Sequence, residues 1–138
     1  MKVVLDTNVL LISIPKASKF RPILNALRAN RFSLAVSNEI LMEYGEILEA
    51  KMSPQISTNI LNAIWALPNI ESTQVYYHWG LIMNDPDDNK FVDCAVAANA
   101  DYLVTNDRHF DLLHSVDFPP IQVVSANQFL ELIDQIET

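Results

Sequence analysis

The sequence predicts an α/β fold, a parallel sheet covered by helices on both faces, on three observations. Short apolar runs alternate with segments of helical periodicity along the whole chain, and near-continuous apolar strands belong to parallel sheets buried on both sides. The length of 138 residues is the usual size of one domain, so residues 1–138 are expected to form a single unit. Hydrophobic residues make up 50% of the chain and charged residues 19%, enough apolar surface for a core and too little charge for disorder.

Taken in order, Lys2–Asp6 reads as a short buried strand ending in an acid. Asn8–Ile14 is helical and stops near Pro15, and Lys16–Arg21 is a basic loop. Pro22 suits the first turn of a helix whose apolar face is Ile23, Leu24 and Leu27. Phe32–Val36 is a second strand. Ser37 can cap the next helix, where Ile40, Leu41, Tyr44, Ile47 and Leu48 recur at helical spacing. A further helix covers Ser57–Leu67. Ile70–Gly80 is ambiguous, its β-branched and aromatic residues favouring an extended segment at Thr73–Tyr77. Asp85-Pro86-Asp87-Asp88 is a turn. Asn89–Ala100 is a helix apolar nearly all round, hence buried. Tyr102–Thr105 is a strand, Arg108–His114 a short helix and Ile121–Val124 the last strand. Ser125 and Gln128 form a capping box for a final helix with the stripe Phe129, Leu130, Ile133 and Ile136.

Composition narrows the function. The two glycines, Gly45 and Gly80, are too few for a phosphate-cradling glycine loop. A single cysteine, Cys94, excludes an internal disulfide and reads as a small buried apolar residue. No apolar run reaches the length of a membrane span, and the opening run is broken at once by Asp6, so no signal peptide, no membrane and a cytoplasmic location are expected. Nine basic against 17 acidic residues give a net charge of −8, which disfavours broad electrostatic coating of nucleic acid and fits a carboxylate cluster that needs a cation. Five of the basic residues, Lys16, Lys19, Arg21, Arg28 and Arg31, fall in one stretch; Lys16, Lys19 and Arg21 are a candidate contact for a polyanion, or merely a solvated surface.

Asp6 and Asp107 each follow a strand, at the sheet edge where open α/β folds place their sites. Each has a second reading as a helix cap. Asp93 lies inside an apolar helix, and a buried carboxylate needs a partner: a metal ion, or Lys90 one turn earlier. Asp88 is better placed to cap that helix than to hold a metal. Asp85 and Asp87 read as turn residues. Glu43 borders the apolar stripe of its helix, with Glu39, Glu46 and Glu49 on the polar side. Carboxylates gathered in one pocket tolerate one another only with a cation or shared protons. All-oxygen ligation suits Mg²⁺ or Mn²⁺ and serves to activate water against a phosphodiester. His78, His109 and His114 lack zinc-ligand spacing.

Three stretches together resemble the PIN-domain family. Val4-Leu5-Asp6-Thr7-Asn8-Val9-Leu10 is similar to its opening signature, Ser37-Asn38-Glu39-Ile40-Leu41-Met42-Glu43-Tyr44 to the region that supplies a helical Glu, and Phe91-Val92-Asp93-Cys94-Ala95-Val96-Ala97-Ala98 with Tyr102-Leu103-Val104-Thr105-Asn106-Asp107 to its second half. The run from Asp85 to Lys90 resembles a prokaryotic toxin–antitoxin branch related to VapC-type toxins. The resemblance implies a doubly wound fold, Mg²⁺- or Mn²⁺-dependent RNA cleavage, a homodimer and a small antitoxin partner. It implies Asp6, Glu43, Asp93 and Asp107 as the catalytic, metal-holding acids, Asp88 as an extra ligand, and Asn8 and Thr105 as supporting residues.

Two other readings stand beside this one. A PIN scaffold without catalysis would bind RNA or protein through the same fold. A phosphoaspartyl phosphatase needs a second Asp two residues after the first, where this sequence has Asn8.

Overall fold

The structure, a computed structural model, describes residues 1–83 and 85–137. Strand β1 (Lys2–Leu5) leads into α1 (Thr7–Ser13) and α2 (Arg21–Arg28), and β2 (Ser33–Val36) into α3 (Asn38–Lys51) and α4 (Pro54–Trp65). Strand β3 (Ile70–Ser72) is followed by an irregular connection, a 3-10 turn (Pro86–Asp88) and α5 (Asn89–Ala97). Strand β4 (Tyr102–Val104) passes through a 3-10 segment (Arg108–Ser115) to β5 (Val123–Val124) and α6 (Ala126–Glu137).

The strands lie in the order β3-β2-β1-β4-β5, all parallel. The chain thus winds outward from β1 on one side, returns, and winds outward on the other. The reversal falls between β1 and β4, and ligand crevices in open α/β sheets open at the carboxyl ends of the strands beside such a reversal. Register fixes what meets there. Leu5 pairs with Val104, and the Asp6 N–H donates to the Val104 carbonyl at 3.0 Å, so Asp6 and Thr105 leave the sheet side by side.

Val3, Val4 and Leu5 are all 0% exposed. Successive strand side chains point to opposite faces, so both faces of β1 are covered. Each such side chain contributes roughly 1.5–3 kcal/mol by leaving water. Ile23, Leu27, Ile40, Tyr44, Phe91, Val92, Phe129 and Ile133 complete the core around it, with Phe32 and Phe129 packed edge to face.

Local sequence explains most boundaries. Ser37 accepts from the Ile40 N–H, and the Ser125–Gln128 box forms in both directions at 2.8 and 3.1 Å. Asn30 and Asn99, with φ of 59° and 52°, end α2 and α5 in the left-handed conformation that asparagine tolerates. Three expectations are corrected. Helix α4 begins at Pro54, three residues early, because Ser53 caps it and Pro54 fits its first turn. The third strand is Ile70–Ser72 rather than Thr73–Tyr77; pairing with β2 ends when the Thr73 N–H reaches the Val36 carbonyl. Helix α5 stops at Ala97 rather than Ala100. On α6, Phe129 and Ile133 are buried while Ile136, at the far end of the stripe, is exposed.

Candidate active site

Asp6 caps α1 and faces the crevice at once. Its Oδ1 accepts from the Asn8 N–H at 3.4 Å and its Oδ2 from the Thr105 hydroxyl at 2.7 Å. Thr105 in turn accepts from the Asp107 N–H at 3.0 Å. One buried hydroxyl therefore ties the acid after β1 to the acid after β4. Asp107 caps the 3-10 segment through the His109 N–H at 2.8 Å. Capping and convergence, set against each other in the sequence, coexist.

Glu43 enters from α3. Tyr44, buried, donates to the Leu5 carbonyl at 2.6 Å and pins α3 to the end of β1. Glu43 Oε2 takes a short bond from the Thr7 hydroxyl, and Oε1 pairs with Lys90 Nζ at 2.8 Å. Burial lowers the Lys90 ammonium, but the bond and charge of Glu43 outweigh it and its pKa is raised. Lys90 is thus the partner of Glu43, not of Asp93.

Burial raises the Asp6 carboxyl above its ordinary range, and the charges of Asp107 and Glu43 add to this against the Thr105 and Asn8 bonds. Asp88 is pushed up to about 6 by burial and by Asp85, Asp107 and Asp6, with His109 opposing. It stands at the N-terminus of α5 but makes no side-chain cap, which corrects the capping expectation. Its Oδ2 is buried without a hydrogen-bond partner, His109 Nδ1 lying 3.5 Å away, beyond a good bond. One oxygen each of Asp85 and Asp88 and a ring nitrogen of His109 lie within 4.8 Å of one another. Asp85 also closes the turn through the Asp87 N–H.

Asp93 is only 3% exposed and turns elsewhere: its Oδ1 accepts from the Trp79 N–H at 3.0 Å, and its Oδ2 lies 3.1 Å from His78 Nδ1. At the β1/β4 crevice the charges of Asp107 and Glu43 act on Asp6, and those of Asp85, Asp107 and Asp6 act on Asp88.

The PIN-domain family model matches residues 2–109. The chain belongs to the PIN-domain family. Its fold is similar to that of VapBC2 from Rickettsia felis, whose structure was solved bound to a DNA fragment from their promoter, with a TM-score of 0.64 and 19% identity over 91% of this chain and 98% of that one. No curated protein matches it.

Other parts of this PIN domain differ from the sequence reading. Asn8 supports Asp6 through its backbone, and its side chain is exposed. Thr7, next to it, is the residue whose side chain reaches an acid; the Asp-Thr-Asn order held it in view without distinguishing it. Lys16 and Lys19 are exposed, Lys19 lying over the Phe20 ring at 5.6 Å. Arg21 is spent within the fold, on Asn25 and on a short bond to the Ile14 carbonyl. None of the three lines the two clefts that hold Glu43, Lys90 and Asp93. Burial pushes the Cys94 thiol up to about 12, as befits a core residue. No described helix is long and apolar enough to cross a membrane.

Proposed function

We propose that this PIN domain is a metal-dependent endoribonuclease, the toxin of a toxin–antitoxin pair. The observation that carries the reading is the meeting of Asp6 and Asp107 through the Thr105 hydroxyl at the β1/β4 crevice, with Asp88, whose buried Oδ2 has no hydrogen-bond partner, close enough to feel both charges. Carboxylates set this way, two of them with raised pKa, fit a divalent cation. Their hard oxygen donors suit Mg²⁺ or Mn²⁺. Asp6, Asp88 and Asp107 would hold the ion with Glu43 beside them; Asp93, whose oxygens are engaged by His78 and Trp79, is left out of the ligand set. When bound, the ion supplies Lewis-acid polarisation of the phosphodiester and eases deprotonation of water.

The chain's own residues hold that arrangement. Thr105 fixes the spacing of Asp6 and Asp107. Thr7 and Lys90 orient Glu43, and Lys90 offers a positive charge beside the crevice in a protein of net charge −8. Family membership supports nuclease chemistry, and the likeness in fold to VapBC2 supports a small antitoxin as partner. A homodimer and a cytoplasmic location complete the proposal. The test is cleavage of an end-labelled single-stranded RNA with Mn²⁺, Mg²⁺ or chelator. Cleavage with metal, abolished by chelator and by Asp107→Asn, is expected. Cleavage indifferent to chelator would overturn the metal; metal binding without cleavage would return the non-catalytic scaffold.

A further inference from the structure

We infer that His78 is the general acid of the reaction and that Asp93 is its positioning residue; the inference rests on the ribonuclease reading above. Asp93 is a buried carboxylate on α5, 3% exposed, and the acids at the crevice do not explain its burial. Its Oδ2 lies 3.1 Å from Nδ1 of His78, whose side chain is 67% exposed. A buried carboxylate holding an exposed imidazole through Nδ1 fixes the ring and its tautomer and leaves Nε2 as the nitrogen that exchanges a proton with the cleft. No described residue hydrogen-bonds Nε2. The second carboxylate oxygen accepts from the Trp79 N–H at 3.0 Å, which locks the connection carrying the histidine.

Position agrees with this chemistry. His78 lines two adjoining clefts, of about 440 and 390 Å³. The second also holds Glu43 and Lys90, so it runs from the imidazole to the rim of the acidic crevice. Glu39, Glu43 and Glu46 of α3, Asp87 of the 3-10 turn, and Lys90 and Asp93 of α5 are the charged groups that share these clefts with His78. Each cleft has the volume of a small-ligand site.

The oxygen of a water forms a bond to phosphorus, and the phosphorus bond to the leaving ribose oxygen breaks, leaving its electron pair on that oxygen. The ribose oxygen takes the proton from Nε2 of the protonated His78. The water gives its proton to solvent, and His78 regains one from solvent. Such protonation contributes typically 10²–10⁴ in rate. The carboxylates would hold the ion, and the ion would supply charge stabilisation at phosphorus, which leaves the proton for the departing oxygen to another group.

The experiment compares parent and His78→Gln, with Mn²⁺, on RNA and on bis(p-nitrophenyl) phosphate, whose leaving group needs no proton. His78→Gln should slow RNA cleavage about 100-fold or more and hydrolysis of the activated diester by no more than about twofold. A readout independent of activity is the ring ¹⁵N spectrum of His78 in the metal-free protein at alkaline pH. It should show the Nδ1–H tautomer, and Asp93→Asn should lose that preference. Equal slowing on both substrates, an unchanged rate on RNA, or an Nε2–H tautomer in the parent would each overturn the inference. An active parent with uniform slowing sinks the dyad alone; a parent that cuts no RNA with any metal sinks the ribonuclease reading with it.

Discussion

Asp88→Asn separates a site built for a cation from an incidental cluster of acids. In the folded protein Asp88 is held at about 6 against an ordinary 3.8. At 1.36 kcal/mol per pKa unit that is at most about 3 kcal/mol, and screening of a partly exposed group reduces it to roughly 1–2 kcal/mol. A raised carboxyl favours the neutral form in the fold. Its contribution is therefore fully present below pH 3.8 and is lost as the pH rises through about 6. Asparagine keeps the shape and carries no charge. In chelator at pH 8, Asp88→Asn should be more stable than the parent by roughly 1–2 kcal/mol, and the gap should close toward pH 4. Mn²⁺ should reverse the order, since a ligand that binds the folded parent adds about 2.7 kcal/mol at 100 times its dissociation constant. Urea unfolding at pH 4.5 and 8, in chelator and in Mn²⁺, measures all four quantities. A variant less stable than the parent in chelator at both pH values, or one stabilised by Mn²⁺ as much as the parent, would refute the reasoning.

The other predictions follow the same hydrogen bonds. Asp6→Asn should retain the α1 cap and lose metal-dependent stabilisation and cleavage, whereas Asp6→Ala should also lose about 0.5–2 kcal/mol of stability in chelator; an active Asp6→Asn protein would sink the mechanism. Lys90→Met removes the cation that pairs with Glu43 and should destabilise the chelated protein by about 1–3 kcal/mol, a loss that saturating Mn²⁺ recovers in thermal melts if the ion takes over that charge balance. Tyr44→Phe leaves the Leu5 carbonyl without its donor and should cost about 1–3 kcal/mol in urea unfolding, with cleavage reduced because Glu43 rides on the same helix; unchanged stability would show that the bond does not anchor α3.

What was legible in the sequence is what local chemistry decides. Strand β1 and its terminal Asp6, the Asp107 cap, the Ser37 cap and the Ser125–Gln128 box are all set within a few residues, and each stands where periodicity and capping rules put it; Thr105 as the support of the acids came from the family resemblance. Side-chain partners drawn from distant segments were not legible. Lys90 is one turn from Asp93, yet its ammonium reaches across to Glu43. Asp88 looks like a cap, but its side chain turns toward Asp85 and His109. His78 sits in a connection without periodicity, and only the packing of that segment against α5 brings it to Asp93. The same absence of periodicity misplaced the third strand by three residues, because β-branched residues at Thr73 and Val75 favour extended backbone whether or not a neighbouring strand remains to pair with it.

Diffraction at the manganese edge from crystals grown with Mn²⁺ tests the central claim most directly. An anomalous peak ligated by Asp6, Asp88 and Asp107, with Glu43 beside it and Asp93 still paired with His78, is the predicted result. Crystals with no peak in that crevice, or with manganese bound by Asp93 instead, would contradict the account.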